Sequence, residues 1–331
     1  MSEWRPDLRD EEDPVRSALE LGLRQQPLDA AALARVRESV RAEFDTMHGW
    51  RAGSRRWPRW VAAMAATLAG LTVLAALYLF QGEEGPPFGN VVRIERGSLR
   101  TARNFFRTHD LGVGADVPSQ EAIMSAGTSL IALAGGGLLR VAPGASFEGV
   151  GSNEVVLRAG RVFLDFPRGA GRFVLSTSAG TFEHIGTQFE AVVEGGSTRI
   201  RVREGAVRMS TPAAAAALMV DAGTEVVVSQ AGSVARRSVP TYGPDWAWAE
   251  STAPQFEIEN RELMDFLGWV ARETGRHVEF VDERARDVAG HTLLHGSVRG
   301  LAPLAALQQV LSTTSLRYEI HDDVIRVSSA R

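Results

Sequence analysis

Histidine and carboxylate side chains are the residues of this sequence that could bind a metal ion or transfer protons. His291 and His295 stand four positions apart in a stretch whose pattern predicts a β-strand, so they would share one face of it. A zinc pair of the HExxH type needs a helix and an adjacent glutamate instead. Acidic pairs at 282–283 and 322–323 fall in predicted turns, where acidic residues are common. These groups therefore give little support for a metal centre.

Motifs of common enzyme families are absent from the sequence. It contains no Gly-x-Ser-x-Gly nucleophile elbow, no phosphate-binding loop and no EF-hand loop. It also contains no cysteine, which excludes thiol catalysis, cysteine zinc sites, disulfides and lipidation of cysteine. The sequence therefore predicts a protein that is not an enzyme, without catalytic residues, cofactor or metal. A carboxylate pair brought together by the fold is the alternative that stays open.

Overall charge gives no indication of a nucleic-acid partner. The 331 residues include 36 basic and 40 acidic side chains, for a formal net charge of −4. The length is enough for two or three domains of ordinary size.

A run without any charged residue, at 60–80, predicts a single transmembrane helix. At about 1.5 Å per residue it just crosses a hydrocarbon core of roughly 30 Å. The alternative, a buried core helix, would normally show a polar face. Four arginines precede the run within 51–59 and two glutamates follow at 83–84. The positive-inside rule then places the N-terminus in the cytoplasm and the rest of the chain outside.

The segment 1–59 begins acidic and then shows helical periodicity from Asp29 onward. Its apolar side chains recur at steps of three and four residues: Leu33, Val36, Val40 and Phe44. One amphipathic helix cannot bury its own stripe, so the stripe needs another protein, a second copy or the membrane surface. The alternative is a partly helical spacer.

Between residues 91 and 230 the periodicity becomes that of β-strands separated by glycine turns. Such spacing is typical of an all-β sandwich, barrel or solenoid. Within 197–209, Ile200, Val202, Ala206 and Met209 alternate with Arg199, Arg201, Arg203 and Arg208. One face of this strand should be buried and the other lined by arginine. That second face either binds an anion or acidic partner or is simply solvated.

This β region resembles the FecR family of regulators. The resemblance rests on the ordered motifs GRVFLDF, VLSTSAG, IGTQFEAVV and VREGAVRM, which lie between residues 160 and 209. By this resemblance the fold-specifying residues are Gly186, Thr187, Phe189, Glu204 and Gly205. Gly186 would supply a tight bend and Thr187 a hydroxyl for local hydrogen bonds, before Phe189 enters the core. The family implies no catalytic role for any of them.

Residues 255–331 predict a small α+β domain of order βαββαββ, after a linker at 240–254 that holds two tryptophans. The expected elements are a strand at 256–258, a helix capped by Asn260 and closed by Gly275, strands at 277–281 and 291–298, a helix from Pro303 and a closing hairpin. With its stretches FLGWVARETG and LHGSVRG, this segment resembles the short signalling domain of secretins and TonB-dependent receptors. Residues 81–90 are a linker before the FecR-like β domain at 91–239.

The two resemblances imply a mainly-β transmembrane signalling protein of a bacterial inner membrane, with its C-terminal domains in the periplasm. It would relay contacts with an outer-membrane TonB-dependent receptor, or another envelope protein, to a cytoplasmic ECF-type sigma factor. The stripe Leu33, Val36, Val40 and Phe44 is the candidate contact for the sigma factor. The alternative function is a membrane-anchored binding or scaffold protein that signals to no sigma factor.

Overall fold

The computed structural model describes residues 86–95, 97–104, 107–214 and 216–330. The predicted cytoplasmic segment 1–59 and the predicted membrane span 60–80 lie outside these residues, so both remain predictions. In the ranges that the structure describes, none of the helices has the length and apolar character needed to cross a membrane. Residues 82–331 belong to one compact unit.

Most of this unit is a 15-stranded β-sheet. Its strands are β1 Gly89–Glu95, β2 Leu99–Asn104, β3 Arg107–Leu111, β4 Asp116–Val117, β5 Ala122–Ser125, β6 Thr128–Leu133, β7 Leu138–Val141, β8 Ser146–Val150, β9 Glu154–Asp165, β10 Val174–Thr177, β11 Gly180–Glu194, β12 Ser197–Ser210, β13 Leu218–Asp221, β14 Thr224–Val228 and β15 Val234–Ser238. Antiparallel pairing dominates, and β9 with β10 is the parallel exception. The main path runs β15-β14-β12-β11-β10-β9-β7-β6-β1-β4.

Three long strands, β9, β11 and β12, each belong to two different ladders. The first half of β11 pairs with β10 and with the end of β12, whereas its second half pairs with β9 and with the start of β12. Strand β9 likewise pairs with β8 in its first half and with β7 in its second. The sheet therefore folds over itself through strands that continue from one layer into the other.

Glycines stand where these long strands change ladder. Gly160 in β9, Gly186 in β11 and Gly205 in β12 have φ values of 88°, 55° and 70°, a region that other residues adopt at a cost. The register between β11 and β12 also shifts between Ile185 and Gln188. A Cβ atom on Gly205 would overlap the carbonyl oxygen of Gly186. Position 205 of β12 therefore requires glycine for two reasons: its φ is positive, and there is no room for a Cβ atom.

One hydrophobic core receives side chains from both halves of the long strands, for example Phe182 and Phe189 of β11. Phe88 lies between two other rings, with centroids 6.5 Å from Phe147 and 6.3 Å from Phe173. Burial of such rings supplies most of the driving force for the fold, because apolar area removed from water contributes about 25 cal/mol per Å². The predicted mainly-β class is confirmed.

The C-terminal part has its own hydrophobic core and a mixed composition of helices and strands. Its elements are a 3-10 helix Pro244–Trp246, α1 Ala247–Ser251, β16 Arg261–Glu262, α2 Leu263–Thr274, β17 His277–Phe280, α3 Glu283–His291, β18 Leu293–Leu294, α4 Pro303–Leu311, β19 Leu316–His321 and β20 Val324–Ser329. Strands β17, β20 and β19 form one small sheet, and β16 pairs with β18. Helix α2 ends at Gly275, whose φ of 65° gives the predicted left-handed cap.

The predicted strand at 291–298 is wrong, because residues 283–291 form helix α3 and only the two residues of β18 follow as a strand. Asp282 caps this helix by accepting a hydrogen bond from the backbone N–H of Ala285, at 2.8 Å. The helix buries only Ala285 and Ala289. The helix is mostly polar and its buried residues are two alanines, so no run of large apolar residues at helical spacing indicates it in the sequence.

The predicted strand at 256–258 is also wrong, since residues 253–258 have no strand partner. Phe256 instead packs its ring on Phe266 and Trp269 of α2, with centroids 5.7 and 5.6 Å away. Asn260 is not the helix cap. It adopts a φ of 58°, which asparagine tolerates, and Glu262 stands at the cap position.

We expect Gly205→Ala to lower the free energy of unfolding by roughly 1–3 kcal/mol or more, because strain and steric overlap add at this site. Gly195→Ala is the matched control: its φ is 55° but no atom lies within 4 Å of the added Cβ. Urea denaturation of both variants separates overlap from conformational strain. Equal losses in the two would show that the contact with Gly186 does not constrain β12.

Candidate functional site

The outward side of strands β7, β9 and β12 carries a set of charged residues around one aromatic ring. We call this set the docking face: Arg140, Phe163, Asp165, Arg201 and Arg203. All five are less than a tenth exposed. The segment 240–275 covers them, so the interpretation of the β12 arginines as a solvated face is wrong for Arg201 and Arg203. Acidic groups of the same chain occupy this face.

Phe163 and Trp246 form the apolar centre of the docking face. Their rings meet edge to face, with centroids 6.1 Å apart and an angle of 81°. The guanidinium groups of Arg140 and Arg203 lie 4.8 and 5.9 Å from the centre of the Phe163 ring, within cation–π range. Trp246 is held in place by its indole N–H, which donates to the carbonyl oxygen of Pro240 at 3.0 Å. The predicted linker thus inserts a buried anchor.

Arg140 is fully buried and joins the FecR-like strands to the C-terminal part. Its Nη1 donates to the carbonyl oxygen of Ala249 at 2.6 Å, and its Nη2 donates to Glu273 Oε2 at 2.7 Å. Asp165 Oδ2 lies 3.5 Å from the same Nη2. Burial raises the pKa of Glu273, and the charge of Arg140 opposes that rise. The two side chains depend on each other, since either alone would be an uncompensated buried charge.

Arg203 makes a second connection to the C-terminal part. Its Nη2 donates to the carbonyl oxygen of Glu273 at 2.7 Å, and its Nε donates to that of Thr241 at 3.1 Å. Glu250 Oε1 is 3.3 Å from the same Nη2. Burial lowers the pKa of Arg203 to about 10, against the opposing charges of Glu250 and Glu273. Gly275 is required beside it, because a Cβ there would overlap both Thr241 and the Arg203 side chain.

Arg272 of helix α2 reaches in the opposite direction, towards the β domain. It donates to Asp165 Oδ1 and to Glu204 Oε2. Gln188 Nε2 donates to the other oxygen of Asp165 at 2.9 Å. Asp165, Gln188 and Glu204 all lie within the FecR-like motifs of the sequence. These motif residues therefore bind the C-terminal helix in addition to any role in the β fold.

Arg201 extends the docking face to its edge, where Glu225 is the central acceptor. Arg201 Nε and Arg237 Nε donate to the two oxygens of Glu225 at 2.5 and 2.6 Å. Arg201 also pairs with Asp245 at 3.0 Å. Burial favours a higher pKa for Glu225, but the two arginine hydrogen bonds outweigh it and hold the pKa below its ordinary value.

The five fold-motif residues lie close together, where the register between the paired strands β11 and β12 shifts. Gly186 has a φ of 55°, Gly205 lies against its carbonyl group, and Phe189 is buried in the core. Glu204, beside them, accepts from Arg272. The expectation for Thr187 is corrected: among the described residues its hydroxyl has no hydrogen-bond partner, and its carbonyl oxygen accepts from the Phe166 N–H instead.

The other predicted residues take different positions. The stripe Leu33, Val36, Val40 and Phe44 lies outside the described residues. His291 ends helix α3, where its Nδ1 is 2.8 Å from the carbonyl oxygen of Asp287. His295 follows β18, with its Nδ1 2.9 Å from Glu259 Oε1. The two histidines therefore do not share a strand. Among the residues with described positions, no group of three His, Asp or Glu side chains could hold a metal ion.

Among the residues that the structure describes, several buried polar atoms on or beside the docking face have no hydrogen-bond partner. They are Arg140 Nε, Arg203 Nη1, Gln188 Oε1 and Thr187 Oγ1. An unpaired buried group costs about 1–3 kcal/mol, so the contact is specific but not maximally stable.

The sequence indicated the alternating arginines of 199–203 but not the groups that pair with them. Arg140 stands alone in its motif GGGLLRV, and Glu273 lies 133 residues further along the chain. The available signal was an arginine within the otherwise apolar strand β7. A charge placed there needs a buried partner, although the pattern could not say which one.

Comparison with known proteins identifies the β region. The FecR family model, described as FecR protein, matches residues 120–208. No curated protein matches the chain. Two crystal structures of a proposed anti-sigma factor from Parabacteroides distasonis ATCC 8503 are similar to it at 13% and 14% identity, with TM-scores of 0.32 and 0.33. Each alignment covers 62% of this chain and 96% of the other.

We expect Glu273→Ala to lower the free energy of unfolding by about 3 kcal/mol, because it leaves the fully buried Arg140 with only the more distant Asp165 as a counter-charge. Glu319→Ala, at a side chain that is 76% exposed, should change stability little. Urea denaturation of the full-length chain measures both. A Glu273→Ala variant that unfolds at the same urea concentration as the control would contradict the importance of this pair.

Stability should depend on pH through Glu273. Its pKa is raised in the folded chain, so the folded state holds the proton more tightly than the unfolded state. Its contribution is therefore greatest below the ordinary pKa of glutamate and decreases as pH rises through the raised value. Glu273→Gln should reduce this slope, and Glu319→Gln should not. Thermal unfolding temperatures across mildly acidic to neutral pH measure it, and an unchanged slope in Glu273→Gln would rule out this source.

Proposed function

Residues 120–208 are a FecR domain, and from that premise we propose that the chain is a single-pass membrane signalling protein that regulates a cytoplasmic ECF-type sigma factor. Residues 60–80 would span the bacterial inner membrane, with 1–59 in the cytoplasm and the FecR and C-terminal domains in the periplasm. The observation that carries this proposal is the docking face. FecR motif residues there hold the C-terminal domain through buried charges and not through a reaction centre.

The relay would consist of protein contacts. An outer-membrane TonB-dependent receptor, or another envelope protein, binds the C-terminal domain. If it binds one arrangement of that domain better than another, it shifts the population of docked molecules by its difference in affinity. The incompletely paired Arg140 and Arg203 support such a shift, because leaving the docked arrangement gives their unpaired nitrogens access to water.

The FecR domain adjoins the membrane in this scheme. Its first strand, β1, begins at Gly89, only a short linker beyond the predicted span. A change in the FecR domain would therefore reach the cytoplasmic segment through a short connection. In the cytoplasm the stripe Leu33, Val36, Val40 and Phe44 would bind the sigma factor, since a helix with one apolar stripe requires a partner to bury it.

We expect a peptide of residues 1–59 to bind a sigma factor of its host, and Val40→Asp to abolish that binding. A carboxylate placed in an apolar contact costs several kcal/mol, on the order of 3. Ala42→Asp introduces the same group on the opposite side of the predicted helix and should bind normally. Calorimetric titration against each ECF-type sigma factor of the host tests this. Binding to none of them, or equal loss in both variants, would overturn the sigma-factor proposal.

A further inference from the structure

A cavity of about 620 Å³ lies against the outward side of the FecR strands, next to helix α1. Its size is within the range of sites that bind small molecules. The lining includes Arg161 of β9, Val192 of β11, and Trp248 and Ser251 of α1. The cavity is thus bordered by the FecR domain on one side and by the segment that carries the Trp246 anchor on the other.

Arg161 offers hydrogen-bond donors to this cavity. Its guanidinium group lies over the Trp248 ring, 5.5 Å from the ring centre, and its side chain is 41% exposed. The Nε atom faces Glu190 at 3.8 Å. In the part of the chain that the structure describes, its terminal nitrogens have no hydrogen-bond partner. A guanidinium stacked on an aromatic ring keeps its in-plane N–H groups available, and two such groups match a carboxylate.

Trp248 is a fixed wall of the cavity. Its indole N–H donates to Glu190 Oε1 at 2.7 Å, and Glu190 is buried beneath it. The same carboxylate faces Arg199 at 3.4 Å. Because the indole is tied at one edge, its orientation is set before any ligand binds. Such preorganisation lowers the entropy cost of binding.

The charges around the cavity favour a ligand with one negative charge. Arg161 is the one positively charged side chain of the lining and Glu194 the one carboxylate, so a dianion would meet a single guanidinium together with the repulsion of Glu194. A phosphate group near neutral pH carries close to two charges. A carboxylate carries one and matches the single available guanidinium.

The remaining groups suit a sugar better than a peptide. The Thr128 hydroxyl and the exposed carboxylate of Glu194 can bind sugar hydroxyls. The Ser251 hydroxyl donates to the carbonyl oxygen of Trp248 at 2.8 Å and can still accept from a sugar hydroxyl. The backbone of the cavity floor is already paired, with Gly160 opposite Val193 and Arg161 opposite Val192. A peptide would find few free main-chain groups there to pair with, which removes the usual source of its affinity.

We propose that this cavity binds a hexose that carries a carboxylate, with Arg161 on the carboxylate and Trp248 beside the sugar ring. Such sugars have two sources, uronic acid polysaccharides and the muramic acid of cell-wall glycans. The site is separate from the sigma-factor contact, so either can fail without the other. A ligand there touches strands of the FecR domain and helix α1 together.

The test uses the full-length chain in a detergent without a sugar headgroup. Calorimetry measures binding of a galacturonic acid tetrasaccharide, of a disaccharide containing N-acetylmuramic acid, and of the methyl ester of each. We expect at least one acid to bind, and its ester to bind at least about tenfold more weakly. The acid that binds identifies the source. Absence of binding by both acids, or equal binding by an acid and its ester, overturns the proposal.

Two variants locate the site. Arg161→Gln should weaken binding of the acid by at least about tenfold, and its unfolding temperature, measured alongside, shows that the variant is folded because Arg199 still faces the Glu190 carboxylate. Arg158→Gln is the matched control, on the same strand with a side chain that is 56% exposed and pairs with Glu148, and should bind as the wild type does. Unchanged binding in Arg161→Gln, or equal weakening in both variants, places the ligand elsewhere and overturns the proposal.

Discussion

The arrangement of this protein depends on one buried arginine. Arg140 sits on a central strand of the FecR sheet with no exposed surface, and its charge is compensated mainly by Glu273 of a helix far along the chain. Removing two charges from water is costly, and mutual attraction rarely does much more than offset it. An apolar pair of the same volume would hold the domains at least as tightly. What the charged pair adds is selectivity, since only a carboxylate at that position satisfies the arginine.

That constraint explains why the FecR motif residues are polar where a core would accept apolar ones. Asp165, Gln188 and Glu204 are not needed to fill space in the sheet. They accept or donate hydrogen bonds to Arg272, Arg140 and one another. The motif therefore specifies two features. One is the pair of glycine bends in the neighbouring strands β11 and β12, and the other is a polar surface that contacts the C-terminal part. In the region that the FecR family model matches, these polar residues thus connect the β-sheet to the C-terminal part through side-chain contacts.

Much of the fold could be predicted from the sequence, because strands and turns produce patterns among residues that are close together in the chain. A pattern among neighbouring residues predicted each of four features: the alternation in β12, the glycine at 205, helix α2 with its Gly275 cap, and the β19–β20 hairpin. Helix α3 was missed because its buried stripe is two alanines. The docking site was missed for a different reason: Arg140 and Glu273 are 133 residues apart, and no periodicity connects residues at that separation. Phe163 and Trp246 were each visible as apolar, but not as a pair.

The glycine bends in the long strands have a mechanical consequence. Phe163, Asp165, Arg201 and Arg203 lie on the halves of β9 and β12 that face the C-terminal domain, and the other halves of the same strands belong to the opposite layer. A pull on the docked domain is therefore transmitted along covalent backbone, not across a soft layer boundary. The force then reaches the opposite layer along β9 and β12, and the backbone hydrogen bonds that pair these strands with their neighbours share it.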